Sequence, residues 1–486
     1  MEIAELKLRE KYSQLPLPLK ATVWFTVCNF LIKGLNFITG PIFTRLLPTD
    51  EYGRLSVFLT FEQLLLILST WEIQLGAYQK GLFKYKDDGP LFTTSTQALI
   101  NLLTLSFFGL LFAFRSLVFQ LTGITTTMLL VMFAYFLVFP AYNLWLVRKR
   151  KAYQYKSSIA VTLLFSLSGI VAPIVALLFF EKTADTKIIF TLLGTCTVCV
   201  FFYLKQSKFW ILPKNLDKVQ QHWKFCLSFE GPLVFHSLSF LVLGQADRVM
   251  IKEMVGSSQT AFYSVAYTIA SIVLLFQSSI NTTLSPWRYQ MLEEKKYDII
   301  KNITTRILLL FAGIIAVFVL IAPEVLRIFY PASYRESMWC IPPLTVSAFF
   351  MFLYSFFVSI EEYYEKTRFV LYASVFCATV NIILNYFCIK RFGYVAGAYT
   401  TLASYILFAV CHYLFAKRVL RIERIKQKVT DLKVMLIIAG SLLVYMALIT
   451  ILYEYLYVRY GLLLILLISA VFLRKKIVAL FKQIRT

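Results

Sequence analysis

Thr22, Thr26, Asn29, Lys33, Asn36, Gly40 and Thr44 follow one another at steps of three and four residues, so a helix carries all of them on one face. These are hydrogen-bonding groups with one cation at their centre, a set able to hold an anion and the hydroxyls attached to it. Further sets repeat the idea: Thr94, Gln97, Asn101 and Thr104; Glu230, Ser237, Gly244 and Arg248; Ser374, Asn381 and Asn385. Small hydroxyl residues at helical spacing also serve as packing surfaces, and the set from Ser264 to Ser285 reads that way first. Glu62, Glu72, Asp247 and His236 are titratable groups in or beside apolar runs, hence candidates for coupling to H+ or Na+. Each has a plainer role open to it: Glu62 or Glu72 as a structural partner for Lys33, His236 as a hydrogen-bonded packing residue. Cys196 and Cys199 form a lone CxxC in an apolar stretch with no second pair, so neither a metal site nor a cofactor is expected.

The elements that must position these residues are membrane helices. The 486 residues are 59% hydrophobic and 15% charged, more apolar surface than one soluble core can hide. A spanning helix needs about 20 apolar residues, and about fourteen such stretches occur, the first centred on Leu31 and the last on Leu464. The fold class expected is an all-α polytopic membrane protein. Residues 1–20 read as a short amphipathic lead-in, with no cleavable signal peptide. Of the 49 Lys and Arg, 36 fall in alternate loops that include both ends, 12 in the others, and Lys33 within a helix. Both termini are therefore expected in the cytoplasm. The net charge of +23 is a topology signal by this count, and nucleic-acid binding is not expected. The loops are short, the longest being residues 205–224, which leaves no room for a soluble catalytic domain.

"YGRLSVFLT" from Tyr52 and "TAFYSVAYT" from Thr260 pair Ser56 with Ser264, Val57 with Val265 and Thr60 with Thr268 at one constant offset. That offset superposes the first span on the seventh, which suggests a parallel repeat of six helices. The expected organisation is an N-terminal lobe at 1–204, a cytoplasmic linker at 205–224, a C-terminal lobe at 225–418, and two appended helices with a cytoplasmic tail at 419–486.

"GPIFTRLLPTDEYGRLSVF" resembles the first loop of the O-antigen (Wzx-type) polysaccharide flippases of the multidrug/oligosaccharidyl-lipid/polysaccharide (MOP) exporter superfamily. The match is carried by Thr44, Arg45, Leu47, Glu51, Tyr52 and Gly53, with the proline at Pro48 one residue early. "GQADRVMIKEMVGSSQTAFYSVAY" is similar to the family's Asp-Arg pattern and the Tyr-Ser-x-Ala after it, at Asp247, Arg248, Tyr263, Ser264 and Ala266; Ala261 stands where the family has glycine. "RFGYVAGAYTTLASY" is similar to the opening of the twelfth helix, at Gly393, Gly397 and Ala398.

The resemblance implies a V-shaped, MATE-like fold and a flippase, not an enzyme, in the bacterial inner membrane. Its substrate would be an undecaprenyl-diphosphate-linked oligosaccharide moved from the cytoplasmic to the outer leaflet by alternating access. Polysaccharide polymerase and chain-length machinery would be its partners. On this reading Lys33, Arg45 and Arg248 attract the diphosphate, and Asn29, Asn36, Gln97, Asn101, Asn381 and Asn385 bond sugar hydroxyls. Glu62, Glu72, Asp247 and His236 are the ion-coupling candidates. A flippase for the peptidoglycan lipid precursor and a drug or cation extruder share the fold. A membrane O-antigen polymerase would need a large outer loop, and the longest loop here is assigned to the inside.

Overall fold

The computed structural model describes residues 16–207, 216–366 and 368–485. Among them every regular element is a helix, and thirteen helices are long and apolar enough to cross a membrane. In chain order the sixteen α-helices of the described residues are α1 (Leu17–Leu46), α2 (Thr49–Thr70), the short α3 (Ala77–Lys84), α4 (Gly89–Ala113), the short α5 (Arg115–Thr122), α6 (Thr126–Lys151), α7 (Tyr155–Phe179) and α8 (Ala184–Ser207). There follow α9 (Leu216–Met254), α10 (Ser257–Glu293), α11 (Tyr297–Phe329), α12 (Ile341–Tyr363), α13 (Arg368–Phe392), α14 (Val395–Ile422), α15 (Leu432–Ile451) and α16 (Leu456–Arg485). The fourteenth expected span lies in α16, whose apolar part is Leu456–Ser469.

Local chemistry sets many of the ends. Thr125 caps α6 by accepting from the Met128 amide at 3.3 Å, and Arg148, Lys149, Arg150 and Lys151 fill the last turn, where the helix dipole favours cations. Asp431 caps α15 in the same way, its Oδ1 accepting from the Val434 amide at 3.3 Å. Gly393, with φ +77°, takes the left-handed conformation that ends α13 and lets α14 begin two residues later.

The helices gather into two compact units. One comprises the described residues up to Glu51 and from Phe58 to Leu238; the other comprises Tyr52–Val57 and the described residues from Ser239. Residues 205–224, set apart as a linker by the sequence, are the end of α8, the beginning of α9 and residues 208–215, which lie outside the described residues.

In the first unit α1 packs on α7, α4 on α6, and α8 on both α6 and α7. One of its clusters joins Ile73, Tyr78, Phe92, Ile100, Leu144 and Cys226, with the rings of Tyr78 and Phe92 stacked at 5.7 Å. Apolar contacts inside a bilayer replace lipid rather than water, so close packing and hydrogen bonds hold such helices together. Trp223 donates to the Ser95 carbonyl at 2.8 Å, and the Glu230 carboxylate accepts from the Ala77 amide at the start of α3 at 2.5 Å. The Glu51 carboxylate accepts from the Ala184 amide at the start of α8 at 2.6 Å.

In the second unit α12 packs against α10 and α14, α13 against α14, and α11 against α15 and α16. Fully buried Arg459 of α16 forms a two-pronged ion pair with Glu324 of α11, at 2.7 and 2.8 Å, and donates to the Leu320 carbonyl at 2.7 Å. The segment Tyr52–Val57 belongs here through the Tyr-Gly pair noted in the sequence. Tyr52 meets Tyr334 edge-on at 6.0 Å, and a Cβ at position 53 would stand 1.8 Å from the Ser257 carbonyl oxygen. Only glycine fits so close to another backbone.

Candidate functional site

Lys33 stands at the middle of the membrane-length part of α1, which runs from Lys20 to Leu46, about 20 Å from either end at about 1.5 Å per residue. Thr22, Thr26, Asn29 and Lys33 are all exposed, as are Val23, Trp24, Val27, Phe30 and Leu31 on other faces of the helix, while Ala21 and Cys28 are buried. The stripe changes character at its far end. Gly40 and Thr44 are buried, and Thr44 and Arg45 both donate to the Pro41 carbonyl, at 3.1 and 2.9 Å. Arg45 itself is exposed. The side chain of Asn36 lies outside the described residues.

Elsewhere in the first unit, half-buried Glu62 of α2 interacts electrostatically with buried Lys187 of α8, whose ammonium sits 5.1 Å from the Phe43 ring centre. Counted from the turn between α1 and α2, Glu62 is as deep as Lys33. Glu72 is not in the span: α2 ends at Thr70, and Trp71 and Glu72 form a left-handed turn, with the Glu72 amide donating to the Thr70 hydroxyl at 3.2 Å. Gln97 and Asn101 of α4 are buried and bonded in series. The Gln97 amide donates to Asn101 at 2.8 Å and the Asn101 amide to the Tyr203 hydroxyl at 2.9 Å, while Gln97 Oε1 has no partner. His236 is half-buried on α9, four residues past Pro232.

The second unit encloses a carboxylate. Asp247 of α9 is fully buried and accepts from Tyr263 of α10 and Thr401 of α14, both at 2.5 Å, and from the side-chain amide of Asn385 of α13. Asn385 also donates to Asn381 at 3.1 Å and accepts from Thr400; Asn381 donates to Ser404 at 3.1 Å. Four helices are thus tied at one point, and the amides of Asn381 and Asn385 are committed to this network. Arg248 is turned about 100° round the helix from Asp247. Its guanidinium lies over the Tyr267 ring at 4.5 Å and within electrostatic reach of the Tyr52 hydroxyl.

Three more buried polar centres had no sequence motif to announce them. Arg288 of α10 donates to Asn281 at 2.5 Å, Ser285 at 3.0 Å and the Ser355 carbonyl at 2.9 Å, and stacks on Phe356. Glu361 of α12 pairs with His412 of α14 at 2.9 Å, both fully buried, and the second polar atom of each is unpartnered. Lys187, in the first turn of α8, had been counted with the outer loops.

The described residues thus form a multi-pass helical bundle with an exposed polar stripe along α1 and a carboxylate enclosed by α9, α10, α13 and α14. The solved structures agree on the fold. "Lipid II flippase MurJ, inward closed conformation" is similar over 94% of this chain and 100% of that one, with TM-score 0.60 and 14% identity. An inward-facing multidrug resistance MATE family transporter of the MOP superfamily is similar over 83% and 100%, with TM-score 0.59 and 12% identity. Among curated relatives, an uncharacterized membrane protein of Methanocaldococcus jannaschii is 26% identical over 183 residues, 37% of this chain and 43% of that protein. The MatE family matches residues 232–387. The polysaccharide biosynthesis protein family matches residues 19–292, from α1 to the end of α10, and the chain belongs to that family, within the MOP superfamily.

Proposed function

We propose that the protein is a flippase for a lipid-linked oligosaccharide of the undecaprenyl-diphosphate class, moving the headgroup from the cytoplasmic to the outer leaflet by alternating access. The observation that carries this reading is the exposed stripe Thr22, Thr26, Asn29 and Lys33 on a membrane-length helix. A lysine at mid-membrane depth costs a few kcal/mol unless it meets water or an anion, and membership of a polysaccharide biosynthesis family supports a saccharide-linked anion as the cargo. A diphosphate with attached sugars faces the complementary problem, because each unsatisfied polar group costs several kcal/mol in about 30 Å of hydrocarbon. The stripe offers it charge and hydrogen bonds along the crossing. Arg45 continues the cationic stripe toward the end of α1, and Arg248 is a further cation proposed from the family resemblance to attract the diphosphate.

The distribution of Lys and Arg supports cytoplasmic termini and, with the family, a bacterial inner membrane. An inside-negative potential favours outward movement of an anion by about 2.3 kcal/mol per charge per 100 mV. Glu62, with Lys187 near it, and Asp247 are the carboxylates proposed to couple H+ or Na+. The polymerase and chain-length machinery that extend the glycan are the proposed partners. A peptidoglycan-precursor flippase is the second reading, favoured by the fold likeness to a lipid II flippase.

Binding by the purified protein separates these readings. Undecaprenyl-diphosphate oligosaccharide should bind and be displaced by undecaprenyl diphosphate. Lipid II binding more tightly would favour the second reading, and binding only of organic cations would refute both.

A further inference from the structure

In the second unit, a cavity of about 610 Å³ opens where the ends of α12 and α14 meet the start of α11 and the segment that joins α14 to α15. Six cations line it: Lys301, Lys417, Arg421, Lys426, Lys428 and Lys433. The lone carboxylate in its wall is Asp431, which is engaged in capping α15. Lys301 pairs with Asp298 at 3.1 Å; among the described residues no carboxylate pairs with the other five. Part of the wall is apolar, made by Phe357, Ile360, Ala416 and Leu420 at the membrane ends of their helices. The volume lies in the range of about 300–1,000 Å³ usual for ligand pockets.

The first unit has a cavity of the same kind. It measures about 340 Å³, lies at the ends of α6 and α8, and is lined by Arg148, Lys149 and Lys205 beside Trp145 and Phe202. By order of spans, α6 and α8 are the fourth and sixth of the first six, and α12 and α14 are the fourth and sixth of the second. Basic charge beside apolar wall therefore recurs at the same step of each half. Both cavities lie at the ends that the Lys and Arg distribution assigns to the cytoplasm.

We propose that the larger cavity is a binding site for the phosphate headgroup of an anionic phospholipid of the cytoplasmic leaflet. A phosphodiester places a negative charge among these cations, and the apolar wall receives the start of the acyl chains. Basic pockets between membrane helices on this face are suited to anionic lipid headgroups. A soluble phosphate would use the cations and leave the apolar wall idle. The proposal rests on the sidedness above but not on the identity of the transported glycan.

The test uses the full chain, stripped of lipid in detergent and followed by thermal unfolding. Phosphatidylglycerol should raise the unfolding temperature, while phosphatidylcholine and glycerol 3-phosphate should not. Each lysine near the surface contributes about fivefold to anionic-lipid affinity, so Lys417→Gln with Lys426→Gln and Lys428→Gln should weaken the response about a hundredfold. The corresponding triple arginine variant should keep it. A photo-crosslinkable phosphatidylglycerol should label residues 413–433 of the unmutated protein, a readout that does not depend on any variant folding. Equal effects of the two lipids, an equal effect of glycerol 3-phosphate, an undiminished response in the glutamine variant, or labelling confined to other segments would each overturn the proposal.

Discussion

Replacing Asp247 by alanine should destabilise the second unit far more than replacing it by asparagine. The carboxylate accepts three hydrogen bonds at a fully buried position, from Tyr263, Thr401 and Asn385. Alanine strands these donors, and a buried unsatisfied group costs about 1–3 kcal/mol. Two of the losses are partly recovered, since the Tyr263 and Thr401 hydroxyls are 3.2 Å apart and Asn385 keeps its bond to Asn381. The net cost expected is about 3 kcal/mol, or about 6–12 °C in unfolding temperature for a unit of this size. Asparagine keeps one acceptor oxygen and the same shape, and should cost about 1 kcal/mol. The assay is thermal unfolding of purified protein in detergent at one pH. An alanine variant that unfolds within about a degree of the parent would refute the view that this carboxylate ties α9, α10, α13 and α14 together. An asparagine variant that stays folded but no longer transports would instead mark Asp247 as an ion-coupling group.

Gly53→Ala should destabilise by about 1–3 kcal/mol, because the new methyl meets the Ser257 backbone at 1.8 Å; an unchanged unfolding temperature would contradict that packing. Arg459→Ala should cost about 3–5 kcal/mol by leaving Glu324 without its partner, and proteolysis should then cut between α15 and α16 sooner than in the parent. His412→Leu should cost a similar amount by stranding buried Glu361, about 3–5 kcal/mol, and adding Glu361→Leu should restore most of it; a double variant no more stable than the single would argue against an isolated pair.

The spans were legible because each is an apolar run bounded by Lys or Arg, and burial in lipid leaves the chain little choice but helix. The short α3 and α5 were not, having eight residues each and no run long enough to span. The end of α2 was hidden for another reason: Trp71 and Glu72 adopt positive φ without the glycine that usually signals such a turn, so Glu72 read as part of the helix. The capture of Tyr52–Val57 by the second unit depends on a contact with Ser257 two hundred residues away, which no local pattern records. Among the site residues, Asp247, Asn381 and Asn385 stood out singly as polar groups in apolar runs. The bond between Asn385 and Asp247 did not, because 138 residues separate donor from acceptor. Lys187, Arg288, Glu361 and His412 were overlooked because they lie near span ends, where charged residues are ordinary.

The most direct test of the central claim is headgroup exposure of labelled undecaprenyl-diphosphate oligosaccharide in proteoliposomes, with the parent protein, Lys33→Ala and Lys33→Arg. The parent should flip the headgroup. Alanine should slow flipping about tenfold or more, the worth of one charge-assisted contact of about 1.5–3 kcal/mol, and arginine should retain part of the activity. Flipping by inserted, folded Lys33→Ala at the parent rate would contradict the role given to the mid-membrane cation, and no flipping by the folded parent would contradict the function itself.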